Sequence, residues 1–438
     1  MKVYLESLGC ARNQVDSEGM LGDLIAAGAI VAEQPHEADV IIVNTCAFIE
    51  PAVNETIDVI LELARFKKIG VCRRLIAIGC FPERFGQEMT SKMPEVDIFL
   101  GAGAYDQIKD AVFDDADLPT CFLPDPQLSQ RHKKISPRRL TDKQTAYLRV
   151  AEGCDRHCTY CIIPKLRGKQ RSRPLDEILD EARFLRSSGV KEINLVAQET
   201  TAYGQDIDGK NRFAELISSV AQVADGAWVR FLYGHPESLS ADAIRAMAAQ
   251  PNVCAYFDLP IQHAGDSILK KMARGYRRDD LLKLFAFIRE QIPNAVLRTT
   301  VIVGFPGETE RDFQIIAEFI KEIQFDHAGV FTYSDFDDLP SHRLENHVPL
   351  DVAQDRRDRL MNLQKTISLN KNQKYLDTVV KTLIEKKVED GIWQGRGFFQ
   401  APEVDGVIYV HGDHLAIGDF ADVKIIDAME YDLVGDVV

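Results

Sequence analysis

Cys154, Cys158 and Cys161, spaced C-x3-C-x2-C, form the most chemically suggestive pattern in this 438-residue chain. Three thiolates leave a fourth ligand position open. A structural zinc site closes on four ligands, often as two paired C-x2-C halves, whereas a cubane iron–sulfur cluster held by three cysteines keeps one iron free for a substrate or cofactor. No second C-x2-C half accompanies the trio. The spacing therefore points to an open cluster and to chemistry rather than to a structural metal. A second set, Cys10, Cys46 and Cys80, is spaced 36 and 34 residues apart.

The elements around that second set explain how distant cysteines can meet. Each closes an apolar run, at residues 3–10, 40–46 (VIIVNTC) and 75–80 (LIAIGC), and stretches of helical period at 17–27 and 51–66 separate the runs. This reads as consecutive βα units on a parallel sheet. All strands of such a sheet end on one edge, where ligands bind, so Cys10, Cys46 and Cys80 are expected to converge there.

From 114 to 144 the chain is Pro-rich, polar and weakly periodic, the character of an interdomain linker; it contains Cys121 and a basic cluster at 131–134 with Arg138 and Arg139. Strand-like runs then recur at 147–150, 193–197, 228–233, 255–259, 296–303 and 328–333. Helical stretches at 175–187, 212–223, 279–291 and 310–323 lie between them. Six βα units predict a partial (β/α)6 barrel with its active site at the carboxyl ends of the strands. The tight trio follows the first of these strands and Gln198 and Glu199 follow the second. The fifth runs into a glycine-rich turn at Gly304, where a backbone can approach a ligand closely. His235, His263, Cys72 and Cys254 are expected to be buried structural residues. A polar helix at 351–376 leads to strands at 379–385, 396–400, 407–409 and 420–426, a small antiparallel β-barrel. The expected division is an α/β unit at 1–113, a linker at 114–145, the partial barrel at 146–350, a bridging helix at 351–373 and the β-barrel at 374–438.

Composition sets the surroundings. Residues 1–8 alternate like a strand and lack the basic flank and apolar run of an export signal, and no segment approaches 18 consecutive apolar residues, so neither secretion nor a membrane span is expected. Nine cysteines in such a chain indicate metal or redox roles in a cytoplasmic, reducing compartment. The net charge of −15 is concentrated at the end, where residues 374–438 hold six Lys/Arg against thirteen Asp/Glu. That domain should repel a phosphate backbone and suit a basic partner. Against it, Lys165, Arg167, Lys169, Arg171 and Arg173 occupy every second position. An extended chain would set all five on one face, to touch RNA phosphate or to pair with acidic groups of the protein itself.

Residues 152–161 (EGCDRHCTYC) resemble the radical S-adenosylmethionine superfamily, whose trio has an aromatic residue before its last cysteine. The resemblance implies a 4Fe-4S cluster on Cys154, Cys158 and Cys161 whose free iron chelates S-adenosylmethionine and cleaves it to a 5′-deoxyadenosyl radical. It places Tyr160 beside the cofactor and Gly304 in the cofactor-side loop; Gln198 and Glu199, at another strand end, are placed either to bond the cofactor's amine or ribose or to serve as exposed loop polars. The likeness extends further: the phrases Leu8-Gly9-Cys10, Asn44-Thr45-Cys46 and Gly79-Cys80, the segment 258–263 (DLPIQH) and the terminal β-domain are similar to the methylthiotransferases. That family implies a second 4Fe-4S cluster on Cys10, Cys46 and Cys80 that handles sulfur, a TRAM-like last domain, and S-adenosylmethionine as both radical source and methyl donor.

Residues 8–18 (LGCARNQVDSE), 44–49 (NTCAFI) and 196–201 (VAQETT) resemble the branch that modifies an aspartate of small-ribosomal-subunit protein twelve. Ala11 and Ala47 stand where that branch often has Pro and Gly, and 334–340 (SDFDDLP) replaces its usual Glu-Glu-Gly-Thr-like turn. The branch implies protein twelve as partner; electrostatics suit the acidic C-terminal domain to dock that basic protein and the basic stretch to contact ribosomal RNA, and an electron donor such as a flavodoxin or ferredoxin is expected. A tRNA adenosine methylthiotransferase is the alternative target reading. A non-catalytic iron–sulfur or sulfur carrier is the alternative of another class.

Overall fold

The structure, a computed structural model, describes residues 1–114, 119–128 and 138–438. The basic cluster at 131–134 lies outside them.

The first unit is a six-stranded parallel sheet of β1 (Lys2–Ser7), β2 (Ile30–Val31), β3 (Val40–Thr45), β4 (Arg74–Gly79), β5 (Ile98–Leu100) and β6 (Cys121–Phe122), in the order β2-β1-β3-β4-β5-β6. Every residue of β3 is buried, because both faces of such a sheet are covered and the strand reads as a continuous apolar run. The chain winds outward in one direction from β1 to β2 and in the other from β3 to β6. The crevice at the carboxyl ends of β1 and β3 is therefore a topological switch point. Strands β2, β5 and β6 are too short to show a period, and β6 lies in the stretch expected to be a linker.

The central unit contains β7 (Thr145–Arg149), a short antiparallel pair of β8 (Ala151–Glu152) and β9 (Arg171–Ser172), and then β10 (Glu192–Val196), β11 (Trp228–Phe231), β12 (Tyr256–Asp258), β13 (Val296–Val303) and β14 (His327–Thr332). Two parallel triplets, β7-β10-β11 and β12-β13-β14, are joined by a backbone bond from Gly234 N–H to Asp258 C=O. The result is the expected six-stranded partial barrel, open between β7 and β14. Helices Leu175–Ser187, Phe213–Val223, Arg278–Gln291 and Glu310–Ile323 cover its outside, packing Ile178, Phe213, Phe285 and Phe319 against the sheet. The strands pin the helices, and both leave the carboxyl edge free for loops.

Helix Leu350–Asn372 lies along β14, where Gln364 Nε2 donates to Phe325 C=O and Ser368 Oγ to Asp326 C=O. Beyond it β15 (Val379–Glu389), β16 (Ile392–Gly397), β17 (Ile408–His411), β18 (Phe420–Ala428) and β19 (Leu433–Val437) close a barrel in the order β15-β16-β17-β19-β18. Four neighbouring pairs are antiparallel; β17 and β19 run parallel. This barrel docks on the amino ends of the central strands through buried charge. Arg396 pairs with Glu192, Arg230 Nη1 donates to Phe398 C=O at 2.8 Å, and Tyr256 OH donates to Asp405. Desolvation offsets most of the attraction in such pairs, so their main effect is to fix the docking geometry.

The alternating basic stretch does not form one exposed face. Lys165 and Arg167 belong to a short helix, Ile163–Arg167, and Arg167 and Arg173 are buried. Arg173 pairs with Glu181 at 2.7 Å and Arg167 with Asp16 at 2.9 Å, so these cations are used inside the protein.

Candidate active site

The carboxyl edge of the first sheet places its three cysteines. Cys46 and Cys80 directly follow β3 and β4, and Cys10 lies three residues beyond β1 as N-cap of helix Ala11–Ala26; Cys80 opens helix Cys80–Lys92. Helix amino ends carry partial positive charge that favours a thiolate. The glycines before Cys10 and Cys80 are required by geometry. Gly9 has φ +93° and a Cβ there would meet Cys46 Cβ at 2.7 Å, while Gly79 has φ +107° and would meet Asn44 Oδ1 at 2.7 Å. Asn13 Nδ2 donates to Leu8 and Thr45 C=O at 2.8 and 2.9 Å, tying two of the strand ends together.

The other trio lies on the loop between β8 and helix Ile163–Arg167. Cys154 N–H donates to Gly168 C=O, Thr159 N–H to Met272 C=O and Cys161 N–H to Cys158 C=O. Arg156 N–H donates to Cys154 Sγ at 3.4 Å. The loop is thus shaped by backbone bonds within the central unit, one of them to a residue more than a hundred positions along the chain.

Both trios line one cavity of about 540 Å³. Its wall also carries Arg12, Arg167, Arg274, Tyr160, Tyr233 and Gln262. Arg12 reaches across from the first helix, donating to Ala197 C=O at 2.8 Å with its guanidinium 4.5 Å over the Tyr233 ring. Arg167 Nη2 donates to Cys80 Sγ at 3.5 Å and to Asn13 Oδ1 at 2.9 Å. Burial pushes the Cys46, Cys154 and Cys161 thiols up to about 12 and also raises Cys80. Burial opposes ionisation at Cys10 too, yet Arg12, the Asn13 amide and Arg167 together hold that thiol below its usual value.

This donor set fits two iron–sulfur clusters. Among the described residues no three His, Cys, Asp or Glu side chains converge as ligands of a single metal ion. A cubane instead spreads three thiolates over three of its irons. Gln198 Oε1, His235 Nε2 and Gln262 Oε1, all in cavity-lining residues, are buried without a hydrogen-bond partner among the described residues. Buried polar groups are normally satisfied, so these atoms suit a polar ligand in the cavity.

The residues singled out from sequence separate clearly. All six cysteines, Tyr160, Gln198 and Glu199 line the cavity, and so does His235. Glu199 is already engaged, accepting from Arg156 at 2.9 and 3.0 Å and from Ser238. Gly304 is outside the lining; its N–H donates to Glu308 Oε2 at 3.0 Å and a side chain there would collide with Ala353. Cys72 and Cys254 are buried in separate apolar clusters, and His263 lies 3.7 Å from Glu308. The departing segment 334–340 packs on the first unit: Phe336 lies 3.9 Å from the Arg84 guanidinium and Asp338 pairs with Arg84, which also donates to Ala47 C=O beside Cys46. Arg12, Arg167, Tyr233, Gln262 and Arg274 were not legible as site residues. The positive φ of Tyr233 (+60°) and Gln262 (+66°) is a backbone signal of the site that sequence does not carry.

Six cysteines around one cavity, at the carboxyl ends of a parallel sheet and of a partial barrel, define an enzyme of the radical S-adenosylmethionine class. Residues 148–320 match the Radical SAM superfamily, residues 2–101 the Uncharacterized protein family UPF0004, and residues 378–438 the TRAM domain. The chain is 50% identical to the ribosomal protein uS12 methylthiotransferase RimO of Desulfosudis oleivorans over all of both chains, and 44% identical to that of Clostridioides difficile over 100% of this chain and 99% of that one. It belongs to the ribosomal protein uS12 methylthiotransferase family. Among solved structures, the radical S-adenosylmethionine methyltransferase TsrM from Kitasatospora setae superposes with a TM-score of 0.56 at 14% identity, over 75% of this chain and 72% of that one. The cobalamin-dependent radical enzyme OxsB gives 0.51 at 12% identity, over 84% and 56%. These two likenesses speak for the fold.

Proposed function

We propose that this chain methylthiolates an aspartate of ribosomal protein uS12, with Cys154, Cys158 and Cys161 holding the radical-generating 4Fe-4S cluster and Cys10, Cys46 and Cys80 the sulfur-handling one. The observation that carries the reading is the single cavity lined by both trios. When bound, the two clusters and S-adenosylmethionine supply hydrogen abstraction, sulfur delivery and a methyl group. The chain's own residues do the rest. Two trios on one cavity let a carbon activated at one side meet sulfur at the other without leaving the protein. Gln198 keeps Oε1 free toward the cavity because Nε2 donates to Glu152, which suits it to accept from a cofactor amine or hydroxyl. Tyr160 packs in an apolar cluster with Phe305 and Met272 and walls the cofactor side from water. Glu199 holds Arg156 and so the backbone beside Cys154. Gly304 keeps the turn against helix Leu350–Asn372.

The acidic β-barrel favours a basic protein over RNA as substrate, since phosphate contacts dominate nucleic-acid affinity. Two exposed lysines, Lys165 and Lys169, are what remains of the basic stretch for a ribosomal RNA contact. A low-potential donor of flavodoxin or ferredoxin type supplies the electron. Among the described residues no helix is long and apolar enough to cross a membrane, and we place the enzyme with the ribosome in the cytoplasm. The working modules are 1–113, 146–350 and 374–438, joined by 114–145 and 351–373. Mass spectrometry of ribosomal proteins and tRNA nucleosides from cells lacking this chain tests the reading. The expected result is loss of the methylthio group from uS12 alone; its loss from tRNA with uS12 unchanged overturns it.

A further inference from the structure

A second cavity, of about 530 Å³, runs beside β14 between the partial barrel, helix Leu350–Asn372 and loops of the acidic barrel. Phe331 lines both this groove and the six-cysteine cavity, so the two adjoin at that ring. β14 pairs with β13 on one side and with no strand on the other among the described residues. Such an edge offers backbone donors and acceptors to an incoming extended chain.

The surface around the groove is apolar and acidic together. Phe331, Val404 and Tyr431 are 46%, 51% and 45% exposed, a grouping that marks interaction surfaces when polar residues rim it. The lining cations, Arg298 and His327, each lie 3.5 Å from Asp405 and are engaged by it. Asp432 adds negative charge to the lining, in a barrel whose residues 374–438 hold thirteen Asp/Glu against six Lys/Arg. A phosphate backbone would meet repulsion here, whereas Lys and Arg side chains on an extended segment would find carboxylates.

We propose that an extended, basic segment of the protein substrate docks in this groove along the edge of β14, presenting its target side chain past Phe331 to the six-cysteine cavity. This rests on the protein-modifying reading above and adds the route by which the substrate enters. Affinity comes from the strand edge and from Val404 and Tyr431, and the choice of a basic partner from the carboxylates.

The test uses the full-length, cluster-loaded enzyme carrying Val404→Lys and Tyr431→Lys, two positions outside the six-cysteine cavity. The KM for purified uS12 should rise about tenfold or more, with kcat and substrate-free 5′-deoxyadenosine formation unchanged. The pair Val404→Gln and Tyr431→Phe should stay near wild type. A photo-reactive residue at position 404 should cross-link uS12 in the wild-type background, which needs no perturbing charge. An unchanged KM in the lysine variant, absence of the cross-link, or a gain in tRNA binding with uS12 binding intact each overturns the groove. Failure of the underlying reading is distinguishable, because then the wild-type enzyme itself leaves uS12 unmodified.

Discussion

The two cysteine trios face the same cavity but are built on opposite plans. The central trio spans eight residues of one loop and is shaped by backbone bonds to neighbouring turns. The N-terminal trio is assembled from three strand ends and holds together only if the whole sheet does. Its support also crosses between units: Asp16 of the first helix accepts from Arg149 at 2.6 Å and Arg167 at 2.9 Å, and both arginines approach Glu152. The contrast teaches that the loop trio, which we propose holds the radical-generating cluster, draws its supports from its own unit, with Gly168, Glu199 and Met272 all belonging to the partial barrel. The strand-end trio, which we propose handles sulfur, depends on long-range packing and on cations lent by the other unit.

The largest effect expected comes from the local trio. Cys158→Ala should abolish 5′-deoxyadenosine formation, read by chromatography after anaerobic reconstitution, while the N-terminal trio still takes up iron. Next is the shared cation. Arg167→Ala removes one partner of a buried ion network and should cost about 3–5 kcal/mol of stability in denaturant unfolding. Iron uptake should fall at the N-terminal trio more than at the central one. Equal loss at both would break the contrast.

Gly9→Ala is a smaller and more selective probe. A side chain at φ +93° with Cys46 Cβ at 2.7 Å should cost about 1–3 kcal/mol. It should lower N-terminal cluster content while 5′-deoxyadenosine made per central cluster stays at the wild-type level. At the bottom of the scale, Arg183→Ala breaks an exposed pair with Asp180 and should move stability by no more than about 0.5 kcal/mol. A larger change would mean that surface charge matters here more than the buried network.

Sequence made the same division. Spacing alone exposed Cys154, Cys158 and Cys161, because a one-loop site is written contiguously. Cys10, Cys46 and Cys80 were legible through the βα period, since each apolar run ends at the same point of its unit. Helices 175–187 and 310–323 matched the structure to the residue, because their amphipathic period is long enough to read. Strands β2, β6 and β19 were not, being either two residues long or hidden in an acidic, weakly alternating tail. Nothing in the sequence marked Arg12 or Arg167 as cavity residues; their placement follows from partners more than a hundred residues away, such as Ala197 for Arg12 and Asp16 for Arg167. Segment 334–340 had no readable role until Asp338 was found against Arg84.

The most direct test of two separate jobs on one cavity is the triple variant Cys10→Ala, Cys46→Ala, Cys80→Ala, reconstituted anaerobically and given S-adenosylmethionine, reductant and uS12. Both 5′-deoxyadenosine and the mass of uS12 are measured. The account predicts about half the iron of the wild type, continued 5′-deoxyadenosine formation, and uS12 without a methylthio group. A variant that still methylthiolates uS12, or that makes no 5′-deoxyadenosine with its central cluster loaded, contradicts it.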